Sequence, residues 1–246
     1  MKKIVAKKKK LTPASIVSRP RKAAFLPRDA DFLNSNPTIK LGRSVGAGFC
    51  GEVYSLKGNK NMVVKVPKHF TNSCYTEPNE RARNLRWRTG DIEEEAKVYQ
   101  DFDLNNRPLF IPTHITKMTS SFDKREYPVL VRPRIDPVLI DTRSGMQVNP
   151  KVDKKLTPSR LEQLRRDLIH ISHMGIALAD GMQLGMDQTG RILIYDAGRM
   201  ARFPPGSGTP FDVNDNEWQE FLFTIGKIEG YSDLRKYGTV NIHEKY

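Results

Sequence analysis

The sequence predicts an α+β fold in two lobes, a five-stranded N-terminal lobe followed by a truncated, mainly helical C-terminal one. Three observations carry this. Strand-like runs dominate from Thr38 to Ile135. The strongest helical periodicity comes later, from Pro158 to Gly175. Each half also holds one glycine-bearing turn beside a charged residue that leaves a strand. The boundaries follow as a basic leader over 1–37, a first lobe over 38–136 and a second over 137–246.

The leader is read from charge. The 246-residue chain has a formal net charge of +13, and much of the excess lies in Lys2, Lys3, Lys7 to Lys10, Arg19, Arg21, Lys22 and Arg28, against only Asp29 and Asp31. Such a block repels itself, and Pro13, Pro20 and Pro27 disfavour a long helix, so a flexible segment with a targeting or docking role is expected. No aromatic interleaving accompanies the lysines, so nucleic acid is not expected as the main ligand. No apolar run of about 18 residues is present, which predicts no membrane span. Cys50 and Cys74 fit neither a disulfide framework nor a metal-ligand spacing, which points to a reducing, cytoplasmic compartment.

The first lobe opens with three predicted strands, around Leu41–Val45, Glu52–Leu56 and Met62–Val66, the last two joined by a turn at Gly58 and Asn59. Between the first two lie Gly46, Gly48 and Gly51, followed by Val53, in the pattern G-x-G-x-x-G-x-V. Glycines let a backbone approach phosphate oxygens closely, Val53 is placed to cover a base, and Lys65 ends its strand aimed at the phosphates. An ordinary glycine-rich hairpin would give the same local pattern. Residues 67–90 read as an irregular or short helical surface segment. A helix is predicted from an Asp91 cap to Phe102, with Glu93, Glu94 and Glu95 in its first turn. Glu95 shares a face with Val98 and Tyr99 and is therefore the glutamate expected to meet Lys65. Strands over Pro112–Ser121 and Tyr127–Ile135 complete the five.

In the second lobe a polar loop, Thr142–Asp153, precedes a helix from Pro158 with Leu161, Leu164, Leu168, Ile169 and Ile171 on one stripe, stopping at Gly175. A hairpin follows, MQLGMD-QTG-RILIYD, bracketed by Asp180 and Asp196. Asp196, Ala197 and Gly198 form D-x-G at the end of an apolar strand, and a carboxylate there suits a hard divalent cation such as magnesium. The loop Arg199–Pro210 is brief, and a last helix is predicted over Asp215–Ile225.

Over roughly residues 40–225, the order glycine loop, strand lysine, helix glutamate, loop aspartate and D-x-G resembles the protein-kinase fold. The resemblance implies that Lys65 holds the α and β phosphates of ATP, that Glu95 fixes Lys65, that Asp196 chelates Mg2+, and that Asp180 orients or deprotonates the acceptor hydroxyl. The chain also departs from the family. Leu178, Ala179, Asp180, Gly181, Met182 and Gln183 stand where kinases have H-R-D-L-K-x-x-N, so the arginine and lysine are missing and the loop is two residues short. Counted back from D-x-G, Gln183 takes the place of the metal-binding asparagine. Losing the arginine removes the usual receiver of a phosphorylated activation loop, which implies an enzyme that is on by default.

The miniature outline resembles the minimal kinases that pathogenic bacteria inject through type III secretion, including those acting on the host chaperone heat-shock protein 90. That implies a monomeric serine/threonine kinase effector acting on a protein in the host cytoplasm. Two alternatives stay open: a pseudokinase module that binds a host protein, and a small-molecule phosphotransferase.

Overall fold

The structure, a computed structural model, describes residues 24–36, 38–47, 51–68, 70–71, 78–121, 123–143, 145–178, 182–198, 200–202 and 210–228. It is a mixed α+β protein whose largest element is a five-stranded antiparallel sheet. Strands β1 (Leu41–Ala47), β2 (Gly51–Leu56) and β3 (Asn59–Pro67) form a meander. Helix α2 (Pro78–Asp101) follows, then the hairpin β4 (His114–Thr119) and β5 (Glu126–Pro133). The spatial order is β1-β2-β3-β5-β4, so β5 rather than β4 lies against β3.

The pleat sets the two faces of this sheet. Met62, Val64 and Val66 are fully buried on one face, with Tyr127, Val129 and Val131 of β5. The alternate residues, Val63 and Lys65, must then point to the other face, together with Leu130 and Arg132. Ile92 and Ala96 of α2 pack on Leu130 there.

The first face has a cover that the charge pattern concealed. Residues 27–35, inside the segment expected to be a flexible leader, form helix α1 (Pro27–Ser35). Phe25, Phe32 and Leu33 pack against the Met62–Val64–Val66 cluster. Asp29 is 1% exposed and accepts a hydrogen bond from Asn59 Nδ2 at 2.9 Å. Pro27 does not prevent the helix because it lies at its start, where no intrahelical N–H is needed. Gly58, at φ +91° in the two-residue β2–β3 turn, approaches the Phe32 ring closely. Residues 1–23 lie outside the described residues.

Helix α2 is twice the expected length. Asp91 lies inside it, not at its cap, and accepts a hydrogen bond from Arg88 at 3.3 Å. The buried stripe begins a turn and a half upstream with Leu85 and Thr89, so packing carries the helix through Gly90, whose intrinsic cost is about 1 kcal/mol.

The remaining elements are small. Strands β6 (Asp136–Pro137), β7 (Leu139–Thr142) and β8 (Gly145–Val148) are followed by the one-turn helix α3 (Pro150–Asp153). The segment expected to be a polar loop over 142–153 therefore holds a hairpin strand and a helical turn. Helix α4 (Pro158–His173) leads through Gly175, at φ +68°, into β9 (Ile176–Leu178). Strands β10 (Leu184–Met186) and β11 (Ile192–Ile194) make the expected hairpin. Strand β12 (Met200–Arg202) pairs back onto β9, and α5 (Pro210–Gly226) closes the described chain. Trp218, Phe221 and Ile225 of α5 share one core with Leu161, Leu164 and Leu168 of α4 and with Ile194.

Backbone hydrogen bonds and a strand pairing are among the contacts that join these elements to the sheet side. Ile111 N–H donates to Ile194 O at 3.0 Å, and Ile194 N–H donates to Leu109 O at 2.9 Å. Strand β6 pairs with β10 at Gly185↔Pro137, where a side chain on Gly185 would run into Ile135.

Candidate functional site

The site grows from the parity of β3. Lys65 points to the face opposite Val64 and Val66, between Val53 on β2 and Leu130 on β5. On α2, Ile92, Glu95, Ala96 and Tyr99 occupy the inward stripe while Glu93 and Glu94 are exposed, so the helical phase selects Glu95. Lys65 Nζ is 2.7 Å from Glu95 Oε2. Strand β11 delivers the third member at its C-terminal end: both carboxylate oxygens of Asp196 lie 3.5 Å from the same Nζ. One ammonium thus stands between two carboxylates, with 14% of its side chain exposed.

The two acids are held differently. Burial works to raise the Glu95 carboxyl, but the Arg132 guanidinium and the Lys65 ammonium outweigh it and hold the group down at about 2. Asp196 is raised above the usual carboxylate range because burial and the Glu95 charge outweigh Lys65 and Arg132. Glu95 is a fully compensated structural anion. Asp196 keeps 34% of its side chain exposed and has Lys65 at 3.5 Å as an ion-pair partner.

The glycines have separate roles. Among the described residues nothing lies within 4 Å of a Cβ built at Gly46. At Gly51 a Cβ would fall 2.8 Å from Val66 O and 3.3 Å from Lys65 Cγ, so this glycine lets β3 and the lysine stem approach β2. Neither has positive φ, so left-handed backbone freedom is not what these two positions use. Gly48 lies outside the described residues. Val53 faces both Gly46 and Lys65 across the ladders, and the neighbouring Val45 is 38% exposed.

Gln183 is exposed at the start of β10, and its carbonyl accepts from Tyr195 N–H at 3.1 Å, one residue before Asp196. Asp180 lies outside the described residues. It follows Leu178, the end of β9, which pairs with Met200 just after the D-x-G turn. The described residues hold no group of three or more His, Cys, Asp or Glu arranged for a metal.

Arg132 is the site residue that sequence reasoning missed. It is 5% exposed, and its NH2 group lies 2.6 Å from Glu95 Oε1. Its NH1 group donates to Tyr195 O at 2.9 Å, and its Nε donates to Thr113 Oγ1 at 2.9 Å. The signal was present in YPVLVRP. A residue two after Leu130 shares its inward face, and a buried arginine there requires an anion.

No family model matches this sequence. No curated protein matches it either. The site therefore rests on its own geometry. A cavity of about 900 Å³ lies elsewhere, between α1 and the β2–β3 turn, lined by Arg28, Arg43, Lys60 and Arg134 among others. None of the residues assigned to the site lines it, and the charged cluster around Lys65 is the better guide to chemistry.

Proposed function

We propose that this chain is an ATP-dependent protein kinase with a two-lobed kinase-like fold, transferring the γ-phosphate to a serine or threonine of a protein. The observation that carries the reading is the placement of Lys65 Nζ between Glu95 and Asp196, residues 30 and 131 positions away in the chain. In this reading Val45 and Val53 flank the base, Gly46 leaves room for the triphosphate, and Lys65 binds its α and β phosphate oxygens while Glu95 keeps the ammonium in place.

Magnesium fits the donor set on chemical grounds. Asp196 is a carboxylate with 34% of its side chain exposed, and Gln183, exposed just before β10 and joined by its backbone to Tyr195, carries a second oxygen donor in its side-chain amide. The ion, when bound, neutralises phosphate charge. In the transfer the acceptor oxygen bonds to phosphorus, the bond from phosphorus to the bridging oxygen of ADP breaks, and Asp180 takes the hydroxyl proton. In this reading the chain is an effector delivered into a host cytoplasm, acting there on a host protein such as a chaperone, and the absent catalytic-loop arginine favours constitutive activity.

The missing arginine and lysine around Asp180 favour a second reading, a pseudokinase that binds its partner without transfer. Incubating the purified protein with labelled ATP, magnesium and a eukaryotic lysate separates the two. Label on one dominant protein supports the kinase. Magnesium-dependent ATP binding without label on any protein supports the pseudokinase, and loss of both defeats the nucleotide site itself.

A further inference from the structure

We infer that Arg132 is a positioning residue that ties α2 to the strand bearing Asp196 and so holds the site assembled without an activation step. Its kinetic consequence rests on the kinase reading; its mechanical one does not.

The two oxygens of Glu95 have different partners. Oε2 faces Lys65 at 2.7 Å and Oε1 faces Arg132 at 2.6 Å, so the carboxylate is held by cations on two strands, β3 and β5. A lysine alone pivots on a flexible stem, whereas a guanidinium is a rigid planar fork. All three guanidinium nitrogens are in use: one on α2 at Glu95, one on the chain leaving β11 at Tyr195 O, and one on the segment before β4 at Thr113 Oγ1. The Tyr99 ring, on the same helical face as Glu95, lies 5.2 Å from the guanidinium carbon.

Swinging α2 outward would leave a buried guanidinium without its anion and Glu95 without a cation. Moving the chain around Tyr195 and Asp196 away would leave Arg132 NH1 a buried donor without its acceptor, Tyr195 O. The same side chain opposes both motions, the first because an unpaired buried charge is strongly disfavoured and the second because a buried donor left unsatisfied is costly. A methionine or leucine would fill the same interior volume, and buried ion pairs seldom stabilise more than apolar residues of equal size. What the arginine adds is therefore one defined arrangement of Glu95 and Asp196 about Lys65.

The test compares wild type, Arg132→Met and Arg132→Lys, using hydrogen exchange of residues 92–99 and 192–196 alongside steady-state kinetics in ATP. Arg132→Met is expected to exchange faster in both segments and to lose about 100-fold in kcat while KM for ATP moves less than about threefold, because aim is lost and nucleotide contacts are not. Arg132→Lys is expected to restore protection around Glu95, but not at Tyr195, and to recover part of kcat. Unchanged exchange in either segment of Arg132→Met overturns the coupling. So does a kcat loss equal in both variants that follows their loss of thermal stability. If the wild type transfers no phosphate, the kinase reading fails and exchange alone decides the coupling. If Arg132→Met does not fold, Arg132→Lys decides it: protection kept at 92–99 and lost at 192–196 supports it, and any other pattern overturns it.

Discussion

Lys65 and Asp196 are 131 residues apart in the chain and 3.5 Å apart in space, joined across the junction between the five-stranded sheet and the β10–β11 hairpin. Lys65→Met deletes the charge and keeps the stem that packs beside Gly51. Phosphoryl transfer is expected to fall by about 10³-fold with the far-ultraviolet circular dichroism unchanged. Asp196→Ala is expected to abolish the magnesium dependence of ATP binding measured by calorimetry. Wild-type transfer by Lys65→Met would remove Lys65 from the site.

Glu95 predicts both a position and a pH dependence. Glu95→Gln is expected to lower turnover by about 10-fold, less than loss of Lys65, whereas Glu94→Gln on the exposed face is expected to change nothing. Because the folded Glu95 carboxyl is held at about 2, below its ordinary value, its pairing stabilises the fold above the ordinary carboxylate range. That contribution is lost as pH falls from roughly 4.5 towards 2. Acid titration followed by fluorescence should show a shallower loss of stability in Glu95→Gln over that window than in the wild type.

Truncation of the basic N-terminus separates charge from packing. Removing residues 1–23 is expected to leave the melting temperature unchanged. Removing 1–36 takes away the apolar contacts of Phe25, Phe32 and Leu33 and the partner of Asn59, and is expected to cost about 3 kcal/mol or more. Equal melting temperatures for the two truncations would show that α1 contributes nothing to the sheet.

Asp167 on α4 carries the opposite pH signature. Burial pushes its carboxyl up to about 6, although Gln163 donates to it at 2.9 Å and Arg191 opposes the shift. A raised acid favours the folded state at low pH, and that advantage is lost as pH rises from the ordinary carboxylate value through 6. Asp167→Asn is therefore expected to be more stable than wild type at pH 7.5, by about 3 kcal/mol at most, with the difference vanishing near pH 4. Denaturant melts at the two pH values check the sign.

Much of the first sheet was legible in the chain alone, because alternation along β3 and β5 and the helical phase around Glu95 are local properties of side-chain spacing. Met62, Val64 and Val66 demand one buried face, and that demand sends Lys65 to the other. The β10–β11 hairpin and the stripe of α4 are equally local. Tertiary packing decided the rest. The lysines and prolines before residue 37 conceal a helix that exists because Phe32 and Leu33 find the outer face of the sheet. The arginine-rich run before Asp91 is helical because Leu85 finds a core. The meeting of Lys65 with Asp196, and of Arg132 with Glu95 and Tyr195, depends on strand order and on the β6–β10 and Phe110–Ile194 joints. No local period encodes these contacts, since a charge is drawn into an interior only when its partner arrives from a distant part of the chain.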